Sequence, residues 1–179
     1  MKEKIVMENI DRRKFILSGA AAAASAPFIR TTASGRSSSA NDTVNIAVIG
    51  VRSRGQSHYT NFANIPNVNI ATFCDIDDRL FPEALSNLSK ITKQKPTTVT
   101  DLRRVLDDKT IDAVAIATPD HWHALATIWA CQAGKDVYVE KPTSHNIWEG
   151  RRMVEAARKY NRVVQAGTQN RSNPAVQAA

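Results

Sequence analysis

The chain has 179 residues, 42% hydrophobic and 23% charged, with a formal net charge of +7. That is room for one domain of ordinary size with an appendage. Seven Lys/Arg against three Asp/Glu fall in positions 1–40, so +4 of the charge belongs to the start of the chain; with no basic stripe interleaved with aromatics beyond it, nucleic-acid binding is excluded as a reading.

At the N-terminus, Arg12-Arg13 precede Phe15-Ile16-Leu17 and an alanine-rich run to Phe28. Paired arginines ahead of a short, mildly apolar segment resemble a bacterial twin-arginine export signal. Phe15 to Phe28 is fourteen residues, short of the ~20 that a membrane span needs. Ala24-Ser25-Ala26 has the small residues of a cleavage site, but Pro27 directly after it is unfavourable, which leaves Ala33 or Ala40. Thr31 to Asn41 reads as Ser/Thr-rich linker. Residues 1–40 are therefore read as signal peptide and linker, and the protein is expected in the periplasm or otherwise exported. A disordered cytosolic N-terminus is the plainer alternative.

Val44–Gly50 has the Val/Ile content of a strand buried on both faces. It runs into Val51-Arg52-Ser53-Arg54-Gly55 and a helical segment, Gln56 to Ala63. Strand, glycine turn and helix in that order give the context of a dinucleotide-binding fingerprint, Gly-x-Gly-x-x-Gly. Gly50 and Gly55 hold its first and third places, while Arg52 stands where the middle glycine lets backbone approach a pyrophosphate. The next strand, Asn69–Cys74, ends at Asp75. An acid there is placed to accept from an adenosine ribose and to repel a 2′-phosphate, which favours NAD over NADP. A cap for the following segment is the alternative role for Asp75.

Asp78 to Lys90 is helical in pattern, Thr97–Thr100 a short strand, and Asp101 or Thr100 the cap of a helix carrying Leu102, Val105 and Leu106. Ile111–Ala117 is an apolar run that Thr118-Pro119-Asp120 breaks. Thr118 or Asp120 can cap the helix that follows, Trp122 to Ala133, whose apolar surface is wider than one stripe, and Gly134 follows as a left-handed C-terminal residue. Asp136–Glu140 is a second strand, ended by Lys141-Pro142. The unit is β-α-β, so Thr118, Pro119, His123, Glu140 and Lys141 meet at one sheet edge, where open α/β sheets bind ligands. Pro142 holds Lys141 away from helix geometry. Asn146 and Glu149 have capping-box spacing for a helix from Ile147 to Tyr160, expected to bury Ile147, Met153, Val154 and Ala157 and to pair Glu155 with Lys159. Val163–Gln165 is a last strand, with Gln169 and Arg171 in the loop at its carboxyl end. Asn173-Pro174 then opens a helix within which the chain stops.

Strands and helices alternate throughout, which predicts an α/β fold, a Rossmann-type doubly wound and mostly parallel sheet over 41–172. Residues 173–179 read as the start of a helix leading into a missing C-terminal domain. Cys74 and Cys131 each lie in an apolar run and are expected as buried free thiols. His121 and His123 have no Cys/Asp/Glu cluster beside them, so no metal site is expected.

Four features, AVIG with its glycine turn, CD after the second strand, TPDHWH and AGKDVYVEKP, are similar to the Gfo/Idh/MocA family of nicotinamide-dependent sugar and inositol dehydrogenases. The similarity spans about 44–179, and EGRRMVEAARKYNRVVQAGTQNRS resembles its secreted, twin-arginine members. It implies that Gly50, Arg52, Ser53, Arg54 and Gly55 cradle the pyrophosphate of NAD and Asp75 meets its ribose. Thr118, Pro119 and His123 would line the nicotinamide side, with Glu140 and Lys141 at the reacting end. Lys141 is then the catalytic residue, a cation beside the substrate hydroxyl that stabilises developing negative charge or, with its pKa lowered by partial burial and an oxidised nicotinamide, takes the proton. A second α/β domain would build the pocket for a sugar or polyol and any homo-oligomer contact. Two alternatives stand beside the dehydrogenase: a nucleotide-binding module without catalysis, and a glycosidase using transient NAD oxidation. Lys141 argues against the glycosidase, whose members lack the Glu-Lys-Pro lysine.

Overall fold

The structure, a computed structural model, describes residues 43–172 and 174–178. The expected signal peptide, its cleavage positions and the Asn173 cap lie outside the described residues.

Six strands form one sheet: β1 (Val44–Ile49), β2 (Val68–Cys74), β3 (Thr97–Val99), β4 (Ala113–Ile116), β5 (Asp136–Val139) and β6 (Val164–Ala166). The helices are α1 (Arg54–Phe62), α2 (Phe81–Ser89), α3 (Leu102–Asp107), α4 (Asp120–Gln132), α5 (Ile147–Lys159) and a single turn, α6 (Pro174–Gln177). The strand order is β3-β2-β1-β4-β5-β6, and every neighbouring pair is parallel. The order reverses between β1 and β4, which opens the crevice where such sheets bind ligands. The doubly wound α/β expectation therefore holds.

Alternation along the strands feeds two cores. Val48, Ile70, Phe73 and Ala115 face α1 and α2, where they meet Tyr59, Phe81, Ala84 and Leu88. Ala47, Ile49, Val114, Ile116, Val137 and Val139 face α3, α4 and α5. Small residues on α4, Ala124, Ala126 and Ala130, are almost fully buried and let that helix sit close to the sheet. Cys74 and Cys131 are free and buried, as expected. No described helix is long and apolar enough to cross a membrane.

β1, β3, β4 and β5 stop one residue earlier than expected, β2 ends at Cys74 as expected, and β6 runs one residue further, to Ala166; the next backbone groups still bond to the neighbouring strand. Gly50 N–H donates to Cys74 O at 2.7 Å, Glu140 N–H to Ile116 O at 3.0 Å and Gly167 N–H to Val139 O at 2.7 Å. Three local expectations need correction. The residue preceding α4 is Pro119, in extended geometry and without a side-chain cap; neither Thr118 nor Asp120 caps it. Asp120 instead accepts from the adjacent His121 N–H at 2.8 Å. On α5 the inward residues are Met153 and Ala156, whereas Ile147 is 93% and Val154 42% exposed. Those two are seven positions apart and share a stripe next to the one that packs. Glu155 pairs with Arg151 at 3.4 Å and Arg152 at 2.7 Å, not with Lys159, which lies over the Tyr160 ring. The Asn146 cap does form, accepting from Glu149 N–H at 2.9 Å, while Glu149 reaches back to His145 N–H at 3.0 Å.

Candidate functional site

The carboxyl ends of β1, β2, β3 and β4 surround a cavity of about 820 Å³. Its floor is the glycine turn. Gly50 has φ +86°, and a Cβ there would stand 2.7 Å from the Ala117 carbonyl oxygen. A Cβ on Gly55 would collide with the Gly50 carbonyl, so both positions require glycine for the turn to close against β4. The turn's left-handed non-glycine residue is Ser53, with φ 51°. Arg52, which holds the middle place of the fingerprint, is outside that region, is exposed and is among the cavity's lining residues. The substitution is therefore accommodated by the backbone.

Acidic groups line one wall. Asp75 Oδ2 accepts the Val51 N–H at 3.0 Å and Oδ1 accepts the Asp77 N–H at 3.1 Å. The cap of the short turn after β2 is Asp77, not Asp75. Asp77 and Asp101 line the same wall and each grips an arginine, Arg79 at 2.7 Å and Arg103 at 2.6 Å. The hydrogen bonds from Arg103 hold the Asp101 carboxyl down at about 2, and those from Arg79 lower Asp77 likewise. Burial first, then the neighbouring Asp75 and Asp101 charges, push the Cys74 thiol up to about 12, so it stays protonated. Thr118 and Pro119 close the cavity from the end of β4, and the Thr118 Oγ1 is buried without a partner. An orphaned hydroxyl beside a glycine cradle fits a polar ligand with phosphate groups, because backbone N–H groups and helix starts favour anions.

Gly50, Arg52, Ser53, Asp75, Thr118 and Pro119 share one cavity. Arg54, Gly55, His123, Glu140 and Lys141 do not line it. Arg54 turns away from the glycine turn to donate to Glu140 at 3.2 Å. His123 is 2% exposed; its Nε2 lies 2.8 Å from Thr118 O and its Nδ1 2.6 Å from Pro142 O. It fastens two loops together and does not open to the groove. Glu140 is 3% exposed. Burial alone would raise its pKa, but the His58 hydrogen bond, the Lys141 N–H and the Arg54 charge outweigh that and bring it below the ordinary carboxylate range. Lys141 is exposed, not partly buried, at the end of β5, and its bond to Pro142 is cis.

The chain matches the sequence profile of the oxidoreductase family with an NAD-binding Rossmann fold, Gfo/Idh/MocA, over residues 44–168. It belongs to that family. The described domain is accordingly the family's NAD-binding Rossmann domain. Among curated relatives, a glycosyl hydrolase family 109 protein of Shewanella sp. (strain W3-18-1) is 30% identical over 174 residues, covering 86% of this chain and 38% of the relative. The alpha-N-acetylgalactosaminidase of Shewanella oneidensis is 31% identical over 122 residues, covering 66% of this chain and 27% of that enzyme. The chain therefore spans well under half the length of the curated relatives it matches. The crystal structure of myo-inositol 2-dehydrogenase from Lactobacillus plantarum superposes with a TM-score of 0.68 at 27% identity, covering 76% of this chain and 39% of that one.

His58 was not legible as a site residue. It sits on α1, is 6% exposed, and donates from Nε2 to Glu140 Oε1 at 2.8 Å. The available signal was its i,i+4 spacing from Arg54, which places both on one face of α1. Asp101 reads in the sequence as a cap, a role it fills, and Asp77 caps the short turn after β2.

Proposed function

We propose that this chain is the cofactor-binding part of an oxidoreductase acting on a secondary hydroxyl of a sugar or polyol, with NAD preferred over NADP. The observation that carries the reading is the cavity at the β1/β4 reversal, floored by Gly50 and Ser53 and walled by Asp75. Asp75 is held by backbone N–H groups and, among the described residues, has no arginine partner, unlike Asp77 and Asp101, so its charge is the one left to repel a 2′-phosphate. Gly50, Ser53 and Gly55 would hold the pyrophosphate, Asp75 the ribose, and Thr118 and Pro119 the nicotinamide end. When bound, the nicotinamide supplies the hydride acceptor. Lys141 presents an ammonium at the same sheet edge, where it stabilises negative charge developing on the substrate oxygen. Titration of the chain with NAD and NADP by calorimetry tests the cofactor part, and equal or tighter NADP binding would remove the ribose role from Asp75. In a longer protein carrying this chain at the length of its relatives, Lys141→Ala is expected to abolish most turnover; unchanged turnover would remove Lys141 from the chemistry.

The glycosyl hydrolase names among the relatives favour a second reading, in which the same cofactor is oxidised and reduced within one cycle and the net reaction is glycoside cleavage. Supplying the longer protein with an α-N-acetylgalactosaminide and excess NAD separates the two. Sugar release without accumulating reduced cofactor supports the hydrolase, and stoichiometric reduced cofactor supports the dehydrogenase. The Arg12-Arg13 leader supports export by the twin-arginine route. Cell fractionation of the native chain beside an R12K/R13K variant tests it, and equal periplasmic yield would refute it.

A further inference from the structure

The backbone around Lys141 is held from two sides by buried imidazoles. On one side the Glu140 side chain folds back, so that Oε2 accepts the Lys141 N–H at 3.2 Å while Oε1 accepts from His58 Nε2 at 2.8 Å and Arg54 at 3.2 Å. On the other, the His123 ring lies between the carbonyls of Thr118 and Pro142 and donates to one of them, according to its tautomer. The two histidines come from α1 and α4, helices on opposite faces of the sheet. Ring packing fixes the His58 imidazole: Tyr138 lies edge-on at 5.1 Å and Phe62 at 6.1 Å. Gly167 leaves the room, since a Cβ there would stand 3.1 Å from Glu140 Oε2.

Stability alone does not account for this arrangement. Buried ion pairs are often no more stabilising than apolar side chains of the same volume. The His58 Nδ1 is moreover buried without a partner, which costs free energy. What the cluster does achieve is connection. Arg54 and His58 begin the helix into which the Gly50–Gly55 turn leads, and the carboxylate they hold grips the backbone of Lys141. The geometry points to His58 as a positioning residue that, through Glu140, couples the glycine turn to the placement of Lys141. The coupling rests on the function proposed above, in which Lys141 stands near the nicotinamide.

Reductive methylation with carbon-13 formaldehyde tags exposed lysines of the 179-residue chain, and the Lys141 resonance is the one missing from Lys141→Arg. Saturating NAD is expected to shift that resonance in the native chain and in His58→Gln, whose amide can still donate to Glu140. In His58→Asn, whose amide is too short, most of the shift is lost while the dissociation constant for NAD stays within about threefold of native. Should His58→Asn fail to fold, His58→Phe keeps the ring packing without the donor and is read the same way. A full shift in a folded His58→Asn or His58→Phe chain overturns the proposal, as do equal losses in the Gln and Asn variants, which would assign the effect to packing. A native chain that does not bind NAD overturns the functional reading instead, and the affinity measurement reports that separately.

Discussion

Asp75 accepts the backbone N–H of Val51 at 3.0 Å and so ties the end of β2 to the second residue of the glycine turn. One carboxylate thereby sets the shape of the turn and the charge of the cavity wall. Asp75→Asn can keep an acceptor for Val51 while removing the charge. It is expected to reduce the ratio of NAD to NADP affinity by about tenfold, ~1.4 kcal/mol, measured by calorimetry with both cofactors. Asp75→Ala also loses the tie and is expected to weaken both cofactors and lower the melting temperature.

Gly55→Ala places a methyl group against the Gly50 carbonyl oxygen, a backbone atom that cannot step aside without opening the turn. The expected result is a folded chain destabilised by about 1–3 kcal/mol, the range for stored backbone strain. Its NAD affinity should drop at least about tenfold. Urea unfolding and cofactor titration on the same preparation check both. Native affinity would show that the turn is not the phosphate cradle.

Acid should unfold the domain through its paired carboxylates. Glu140 is lowered from 4.5, and Asp101 from 3.8 to about 2. A folded-state pKa below the unfolded one contributes stability that is present above the unfolded value and lost as pH falls through the folded one. The urea midpoint is therefore expected to decline from pH 4.5 downward. Asp101→Asn, which keeps an oxygen for the α3 cap, should flatten the part of that decline between pH 3.8 and about 2. An unchanged profile would mean that the Arg103 pair does not persist in solution.

Lys135 is 2% exposed at the end of the sheet opposite the cavity. Its ammonium donates to the carbonyls of Asp108 and Ile111, pinning the connection from α3 to β4. Burial, then the nearby Lys109 charge, lowers its pKa. Lys135→Met would leave the buried Ile111 carbonyl and the part-buried Asp108 carbonyl without that donor, and a loss of about 1–3 kcal/mol is expected in urea unfolding. NAD affinity in the folded fraction should not change, since the substitution lies across the sheet from the ligand.

The parts of this molecule that could be read from sequence are those in which chemistry and punctuation coincide. AVIG before a glycine turn, and a Val/Ile-rich run ended by Thr-Pro, specify strand ends, and parallel topology then dictates which ends meet. What escaped that logic is that His58 and Arg54 close on Glu140. Their contact joins residues 82 and 86 positions apart across the sheet, and no local pattern encodes it. His123 was legible as a residue of the right edge but not for its orientation, which depends on where Pro142 O comes to lie. On α5, Ile147 and Val154 made as plausible an apolar stripe as Met153 and Ala156. Only the packing of α4 against α5 decides between two stripes one step apart.

The outermost strands, β3 and β6, are only three residues long, and Thr97, Thr98 and Gln165 are exposed on them. Unpaired strand edges are templates for other chains, and a short polar edge offers few successive hydrogen bonds to a newcomer. The sheet is thus blunt at both sides while its long, apolar strands, β1 and β2, are enclosed at the centre. A crowded population of these domains should consequently resist runaway fibrillar polymerisation for as long as β3 and β6 stay docked, and loss of either outer strand would uncover the segments best suited to seed it.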